Sequence, residues 1–337
     1  MKFRPGTPDD YVYRTVGYDY EIFSLDHPYV KEIQNFFNKV QTEEDMREYI
    51  LTLLASHLDG HTKAQKFILW TGSGANGKST VIEFYQYAFG EYCGVLPITV
   101  LTSKRKGSSN ATPEIADLRG KRFVVFQEPE RDDKIYVGYM KELSGGDWIY
   151  ARPLFKDPIR FKPQFKMILT CNVLPYIPST DNGTWRRLRV SPFESEFVDG
   201  KPKRKNQFPK DYDLTDKMQE WKKALLWLLI NVYYVKYKAE GIKEPTKVTD
   251  FTSRYKRKSD AILEYIEDNL DKTGNDDDME SIDFIYTGFR EWYKDGNPNR
   301  TILNKNDLQE YLMNNNYRCD KTYLYGYKIK GELDEKT

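Results

Sequence analysis

An α/β chain with a largely parallel sheet, preceded by a helical segment and followed by a winged-helix-like α+β segment, is the fold class this sequence predicts. Three continuous apolar runs, Phe67-Ile-Leu-Trp, Arg122-Phe-Val-Val-Phe and Lys166-Met-Ile-Leu-Thr, alternate with helical patterns between Lys66 and about Phe197. Runs without polar alternation belong to strands covered on both faces. Directly after the first run comes a glycine-rich loop, Gly72-Ser-Gly-Ala-Asn-Gly77-Lys78-Ser79, placed between a strand and a helix as in α/β domains that hold phosphates.

Taken in order, residues 1–61 open irregularly and then place Val30, Ile33, Phe36, Phe37 and Val40, and Met46, Tyr49, Ile50, Leu53 and Leu54, at helical spacing. We expect a helical collar or oligomerisation domain there. Residues 62–240 hold the sheet and close on a helix from Leu214 to Lys238, whose stretch Ala224 to Val235 is apolar enough to be buried. Between them Lys201-Pro-Lys-Arg-Lys carries four cations in five residues; a solvated loop is its plainer reading, with a DNA or localisation role as the alternative. Residues 241–337 begin with a helix around Ala261 to Leu270, pass an acidic loop, and continue through two helical patterns to Tyr323-Leu-Tyr-Gly-Tyr-Lys-Ile, a hairpin-like run. Three helices and a hairpin predict the winged-helix-like domain, with Lys256-Arg-Lys and Arg318 as loose cationic candidates for DNA loading or partner docking.

Composition narrows the function. A chain of 337 residues accommodates two or three domains, and Lys+Arg 52 against Asp+Glu 51 leaves no global basic excess, so any nucleic-acid contact must come from local positions. Cys93, Cys171 and Cys319 form no close pair and read as reduced intracellular thiols. His27, His57 and His61 sit outside any nucleophile or metal constellation. The longest apolar stretch falls short of the roughly 20 residues that span a bilayer, and the start lacks the apolar segment of a secretory signal. A soluble intracellular protein is expected, with no membrane partner.

The loop from Gly72 to Thr80 matches GxxxxGK[ST]. Its glycines let backbone N–H groups curl around phosphates at a helix start; Lys78 would reach the outer phosphates of ATP, and the Ser79 hydroxyl would hold Mg²⁺. Gly72, Ser73, Gly74, Ala75, Asn76, Gly77, Lys78, Ser79 and Thr80 are therefore the candidate nucleotide contacts. Hydrolysis needs an acid at the end of a neighbouring strand to orient metal and water. Glu128 ends the second run, with Glu130 a weaker alternative displaced by Pro129. The third run ends at Asn172, a neutral amide suited to the outer phosphate or the attacking water, although an Asn near Pro175 also suits a turn.

Four segments in compact order, GSGANGKST, FVVFQEPE, KELSGGDWIYARPLFK and MILTCNVLPYIPSTDNGTWRRLRVSPF, resemble the superfamily III helicases of the AAA+ class. The likeness is closest to the helicase–primases of poxviruses, other large DNA viruses and satellite-phage plasmids, and covers about Asp26 to Phe197. It implies an AAA+ P-loop ATPase core in which Lys78 and Ser79 bind ATP and Mg²⁺, Glu128 is the catalytic and metal-facing acid, and Asn172 is the sensor. It implies too that Arg187, or its neighbour Arg186, is an arginine finger reaching the ATP site of the next subunit. The segment Ser144 to Lys156 resembles the family's channel hairpin, making Arg152, Phe155 and Lys156 candidate contacts to single-stranded DNA. A replicative helicase follows as the expectation: a homo-oligomer, of hexameric form, moving 3′ to 5′ at a replication fork in a virus- or phage-infected cell, with a primase or polymerase as further partner and its own primase domain absent. The sequence departs from the pattern at Gln127, where many P-loop ATPases place a second acid. The competing readings are a nucleotide-regulated ring that assembles on DNA without unwinding it, and a small-molecule P-loop kinase, which gives no reason for Asn172 or the trailing domain.

Overall fold

The apolar runs form the inner strands of a sheet buried on both faces. The computed structural model describes residues 4–104, 110–129, 133–177, 179, 181–275, 277–296 and 302–330. Contacts divide the chain into Met1–Ile177 with Asn182–Thr252, and Pro178–Asp181 with Ser253–Thr337.

The first unit runs α1 (Pro28–Val40), α2 (Glu44–Ser56), β1 (Phe67–Thr71), α3 (Lys78–Phe89), β2 (Cys93–Leu96), the short α4 (Thr99–Thr102) and α5 (Pro113–Ala116), then β3 (Phe123–Gln127) and α6 (Val137–Gly145). It continues through β4 (Ile149–Ala151), β5 (Ile159–Phe161), β6 (Lys166–Cys171), α7 (Asn182–Trp185), β7 (Leu188–Pro192), β8 (Glu196–Val198), β9 (Gln207–Pro209) and α8 (Leu214–Leu228) to α9 (Tyr234–Glu240). The main sheet is parallel in the order β2-β3-β6-β1-β7. Side chains alternate across it with the period of two that a strand imposes. Ile68, Trp70, Phe123, Val125 and Ile168 share a core with α1, α2, α3 and α8, and Phe67, Leu69, Val124, Phe126, Met167 and Leu169 are also buried.

Two expected boundaries move. The helical segment at 1–61 is no separate domain: Val30, Phe37, Ile50 and Leu54 lie in the same core as Phe84 and Leu225, because one helical layer covers that face of the sheet. The boundary at 240/241 shifts to Thr252/Ser253, inside α10 (Thr246–Ser259). The start of α10 belongs with the sheet, since Val248 is fully buried, Lys247 pairs with both Glu43 and Glu194, and Thr252 Oγ1 accepts a 2.9 Å hydrogen bond from Val190 N. The buried helix from Leu214 is present but interrupted by a π-turn at Leu229–Tyr233. Among the described residues no helix is long and apolar enough to cross a membrane.

The second unit contains α11 (Ala261–Asn269), β10 (Leu270–Lys272), β11 (Met279–Ser281), α12 (Ile282–Gly296), α13 (Lys305–Asn314), β12 (Tyr323–Tyr325) and β13 (Tyr327–Ile329). Ile266, Ile282, Ile285, Phe289, Leu308, Leu312 and Leu324 make its core. The expected hairpin at 323–329 is corrected: β12 pairs with β11 and β13 with β10, both antiparallel. Gly326 alone separates β12 from β13, fewer than the two residues a tight hairpin needs, so each strand finds its partner before α12.

Asp260 caps α11 by accepting from Leu263 N at 3.1 Å and from the Tyr311 hydroxyl at 2.8 Å, and is 4% exposed. Burial raises its pKa more than these bonds lower it. A folded pKa above the unfolded one gives stability that is complete below the unfolded value and lost as pH rises through the folded one. Asp260→Asn keeps an oxygen for Leu263 N, turns an N–H toward the Tyr311 hydroxyl, which can accept it, and cannot ionise. The variant should melt a few degrees above the parent at about pH 7 and together with it at about pH 3, by calorimetry; curves that stay parallel would show that Asp260 carries no such penalty.

Candidate functional site

Strands β1, β3 and β6 end side by side, with Thr71 beside Cys171 and Gln127 beside Thr170. In open parallel sheets this carboxyl edge is where ligands bind. The loop between β1 and α3 uses positive φ at Gly74 (94°), Ala75 (48°) and Gly77 (85°), turning its N–H groups inward at the start of a helix. Gly72 is required by space: a Cβ there would lie 2.3 Å from the Phe193 carbonyl oxygen and from Asn76 Nδ2. Asn76, 3% exposed, donates through Nδ2 to Phe193 O at 3.4 Å. The loop is also held by Phe197 N, which donates to Ala75 O at 2.7 Å.

Lys78 reaches forward under this turn. Its ammonium donates to Gly72 O (3.0 Å), Asn76 Oδ1 (3.1 Å) and Asn172 Oδ1 (3.3 Å), all neutral acceptors, and the residue is 5% exposed. Burial lowers its pKa, opposed by Cys171 and Glu128. No carboxylate lies in ion-pair contact with it among the described residues. Gly74, Ala75, Asn76, Gly77, Lys78, Ser79, Thr80, Glu128, Thr170, Cys171 and Asn172 line one cleft of about 240 Å³. Gly72 supports it from behind through its carbonyl, and Ser73 is exposed in the same turn. Glu128 takes positive φ (50°) as its N–H bonds Thr170 O at 3.0 Å, which ends β3 and leaves the carboxylate exposed. The alternative acid, Glu130, lies outside the described residues. Ser79 and Glu128 are the groups in the cleft that could hold a metal ion.

Arg186 and Arg187 lie elsewhere. They precede β7, and Phe67 N donates to Arg187 O at 2.8 Å, so they sit at the amino edge of the sheet. Five strand residues, about 16 Å at 3.3 Å each, separate them from the loop. Arg186 is exposed and Arg187 partly buried; both guanidinia reach Gln65 Oε1, Arg187 at 3.2 Å, and Arg187 also donates to Gly183 O. Neither can serve the cleft of its own chain. Arg186 is the more exposed of the two.

The expected hairpin exists as the antiparallel pair β4 and β5. At its tip Phe155 is fully exposed and takes φ of 56°, Lys156 is exposed, and Arg152, also exposed, donates through Nε to Lys156 O at 3.4 Å while its backbone bonds Thr112. Sequence reasoning missed its flank. Tyr150 pairs with Arg160, and by the same register Trp148 faces Lys162. The Arg160 guanidinium lies 4.3 Å and Lys162 Nζ 5.5 Å from the Trp148 ring centre. Trp148 is 49% and Tyr150 63% exposed. Aromatics flanked by cations on an open surface suit stacked bases and their phosphates. The histidines are structural: His27 caps α1, and His57 is buried against Tyr85 and Phe123.

Comparison with known proteins finds relatives in large DNA viruses. A family model described as a family of unknown function, DUF5906, matches residues 70–187, from the end of β1 to the arginine pair. A "Putative helicase" of Acanthamoeba polyphaga mimivirus is 40% identical over 99% of this chain and 36% of its own length. One of Invertebrate iridescent virus 6, also named "Putative helicase", is 31% identical over 99% of this chain and 37% of its own. A "Putative primase" of African swine fever virus is 24% identical over 81% and 29%. The chain thus spans about a third of the length of the curated relatives it matches. The apo structure of the NrS-1 C-terminal region superposes with a TM-score of 0.52 over 84% of this chain and 65% of that one, at 14% identity, a likeness of fold.

Proposed function

We propose that the chain is the ATP-hydrolysing motor of a viral replicative DNA helicase, with an AAA+ core of superfamily III type that works as a ring, of hexameric form, on single-stranded DNA at a replication fork. Lys78 carries this reading: a buried ammonium whose hydrogen-bond partners are all neutral is costly to hold, and the cost is offset when phosphate charge enters. The glycine turn, with its inward N–H groups, and the Ser79 hydroxyl supply the remaining cradle for ATP.

The acid and the amide then divide the work by position. Glu128, at the strand end and open to solvent, would orient the attacking water and help to hold a metal ion. Asn172 already accepts from Lys78, so its amide is placed to sense whether that ammonium has moved onto a phosphate. Ser79 and Glu128 are the residues that would hold Mg²⁺, which when bound would neutralise phosphate charge. Arg186 and Arg187, at the opposite edge of the sheet, fit a neighbour's cleft rather than their own, which makes turnover a property of the ring. The similarity to viral proteins named as helicases and primases supports the nucleic-acid side of this assignment.

The test is ATP turnover with and without single-stranded DNA, in the parent and in Trp148→Ala/Arg160→Ala. We expect the strand to raise turnover in the parent, and the flank variant to need about tenfold more DNA for half the effect, since a stacked base is worth roughly 1–3 kcal/mol. Its basal turnover should be unchanged. Turnover in the parent that ignores DNA would replace the motor with a nucleotide-regulated assembly ring.

A further inference from the structure

The four-cation loop that sequence alone reads as solvated is rooted on the phosphate loop. Lys201, Lys203, Arg204 and Lys205 lie in the connection between β8 and β9, and all four are exposed. Only Val198, Asp199 and Gly200 separate Lys201 from Phe197, whose N–H bonds Ala75 O at 2.7 Å. The Phe197 ring closes on the turn from the side, 3.3 Å from where a Cβ on Gly77 would stand. The connection is ordered at both ends: Gln207 donates through Nε2 to Glu196 at 2.7 Å and accepts from Lys203 N at 2.8 Å, and Phe197 packs against Phe208.

The charge on this loop is uncompensated. The carboxylate at its root, Asp199, is already taken by Lys210 and by the Tyr212 hydroxyl, and none of the four cations makes an ion pair among the described residues. No large apolar side chain is exposed between Lys201 and Lys210, and the exposed Tyr212 beside the loop gives its hydroxyl to Asp199. Closely spaced cations on an exposed loop suit a sugar–phosphate backbone read without regard to sequence.

We propose that the β8–β9 loop is a second contact for the nucleic-acid backbone, separate from the β4–β5 hairpin, and that β8 couples it to the nucleotide site by gripping the phosphate loop at Ala75 and Gly77. The inference rests on the motor reading above but not on the hairpin. By reciprocity, DNA held on the loop tightens or loosens nucleotide by the same factor as nucleotide does DNA.

The experiment uses the full chain with Lys203→Ala/Arg204→Ala/Lys205→Ala, checked for an unchanged melting temperature. Binding of a fluorescent oligothymidine is followed across salt concentrations, with and without a non-hydrolysable ATP analogue. We expect affinity to fall about tenfold, and the slope of log affinity against log salt to become shallower by about 2, three lost phosphate contacts at roughly 0.7 each. Analogue affinity without DNA should match the parent, and its response to DNA should vanish. An unchanged slope while the parent binds DNA would overturn the loop contact and leave the motor reading standing. Weaker analogue binding without DNA would also overturn it, making the loop part of the nucleotide site. Absence of DNA binding by the parent would remove both readings.

Discussion

Lys78→Ala should abolish ATP turnover, by a factor on the order of 10² to 10³ or more, and weaken nucleotide binding by about tenfold or more, as loss of a charged hydrogen bond does. The same change should not weaken the fold. This ammonium is buried against three neutral oxygens, and burial already lowers its pKa. Removing it relieves a charge that the apo protein holds at a cost, so the variant should melt at or above the parent temperature without nucleotide. The parent should gain stability when nucleotide is added, following mass action, and the variant should gain little. A variant that loses turnover because it unfolds would identify Lys78 as a structural residue.

The second large effect concerns the arginines. Arg186→Ala/Arg187→Ala should lower turnover by about 10³-fold while nucleotide binding is retained, as loss of an arginine finger does. The pair stands at the amino edge of the sheet and the cleft at the carboxyl edge, so in the proposed ring each active site would take its cleft from one subunit and its arginines from the next. Rings mixed from equal amounts of this variant and Lys78→Ala should recover activity at roughly one site in four, the chance that an intact cleft faces intact arginines. Inactive mixtures under proven subunit exchange would end the shared-site reading.

What the sequence disclosed depended on how far a pattern had to reach. Strands β1, β3 and β6 are runs of consecutive apolar residues, and the phosphate loop is a contiguous motif, so each is visible in its own ten residues. The edge strands hid themselves: β7 contains Arg189, Ser191 and Pro192, and β2 contains Gly94. The Trp148 and Arg160 face is invisible without the register that sets Tyr150 opposite Arg160. The shared core of α1 and α2 with α8 is equally hidden, since nothing local records which apolar face meets which. The root of the basic loop at Ala75 lies in a backbone bond, and main-chain contacts leave no trace in side-chain chemistry.

The place of β6 between β1 and β3 has a consequence for how the chain is made. Phe67 meets Met167 on one side and Leu188 on the other, so β1 has no neighbour until β6, Lys166–Cys171, has been made. At a synthesis rate of about 5–20 residues per second, the nascent strand waits on the order of 5–20 s with both edges open. An apolar strand with open edges is a template for the wrong partner. Yield from the ribosome should therefore depend on chaperones that shield β1, and a slower passage between β1 and β6 should cost soluble protein even when the finished fold is unchanged.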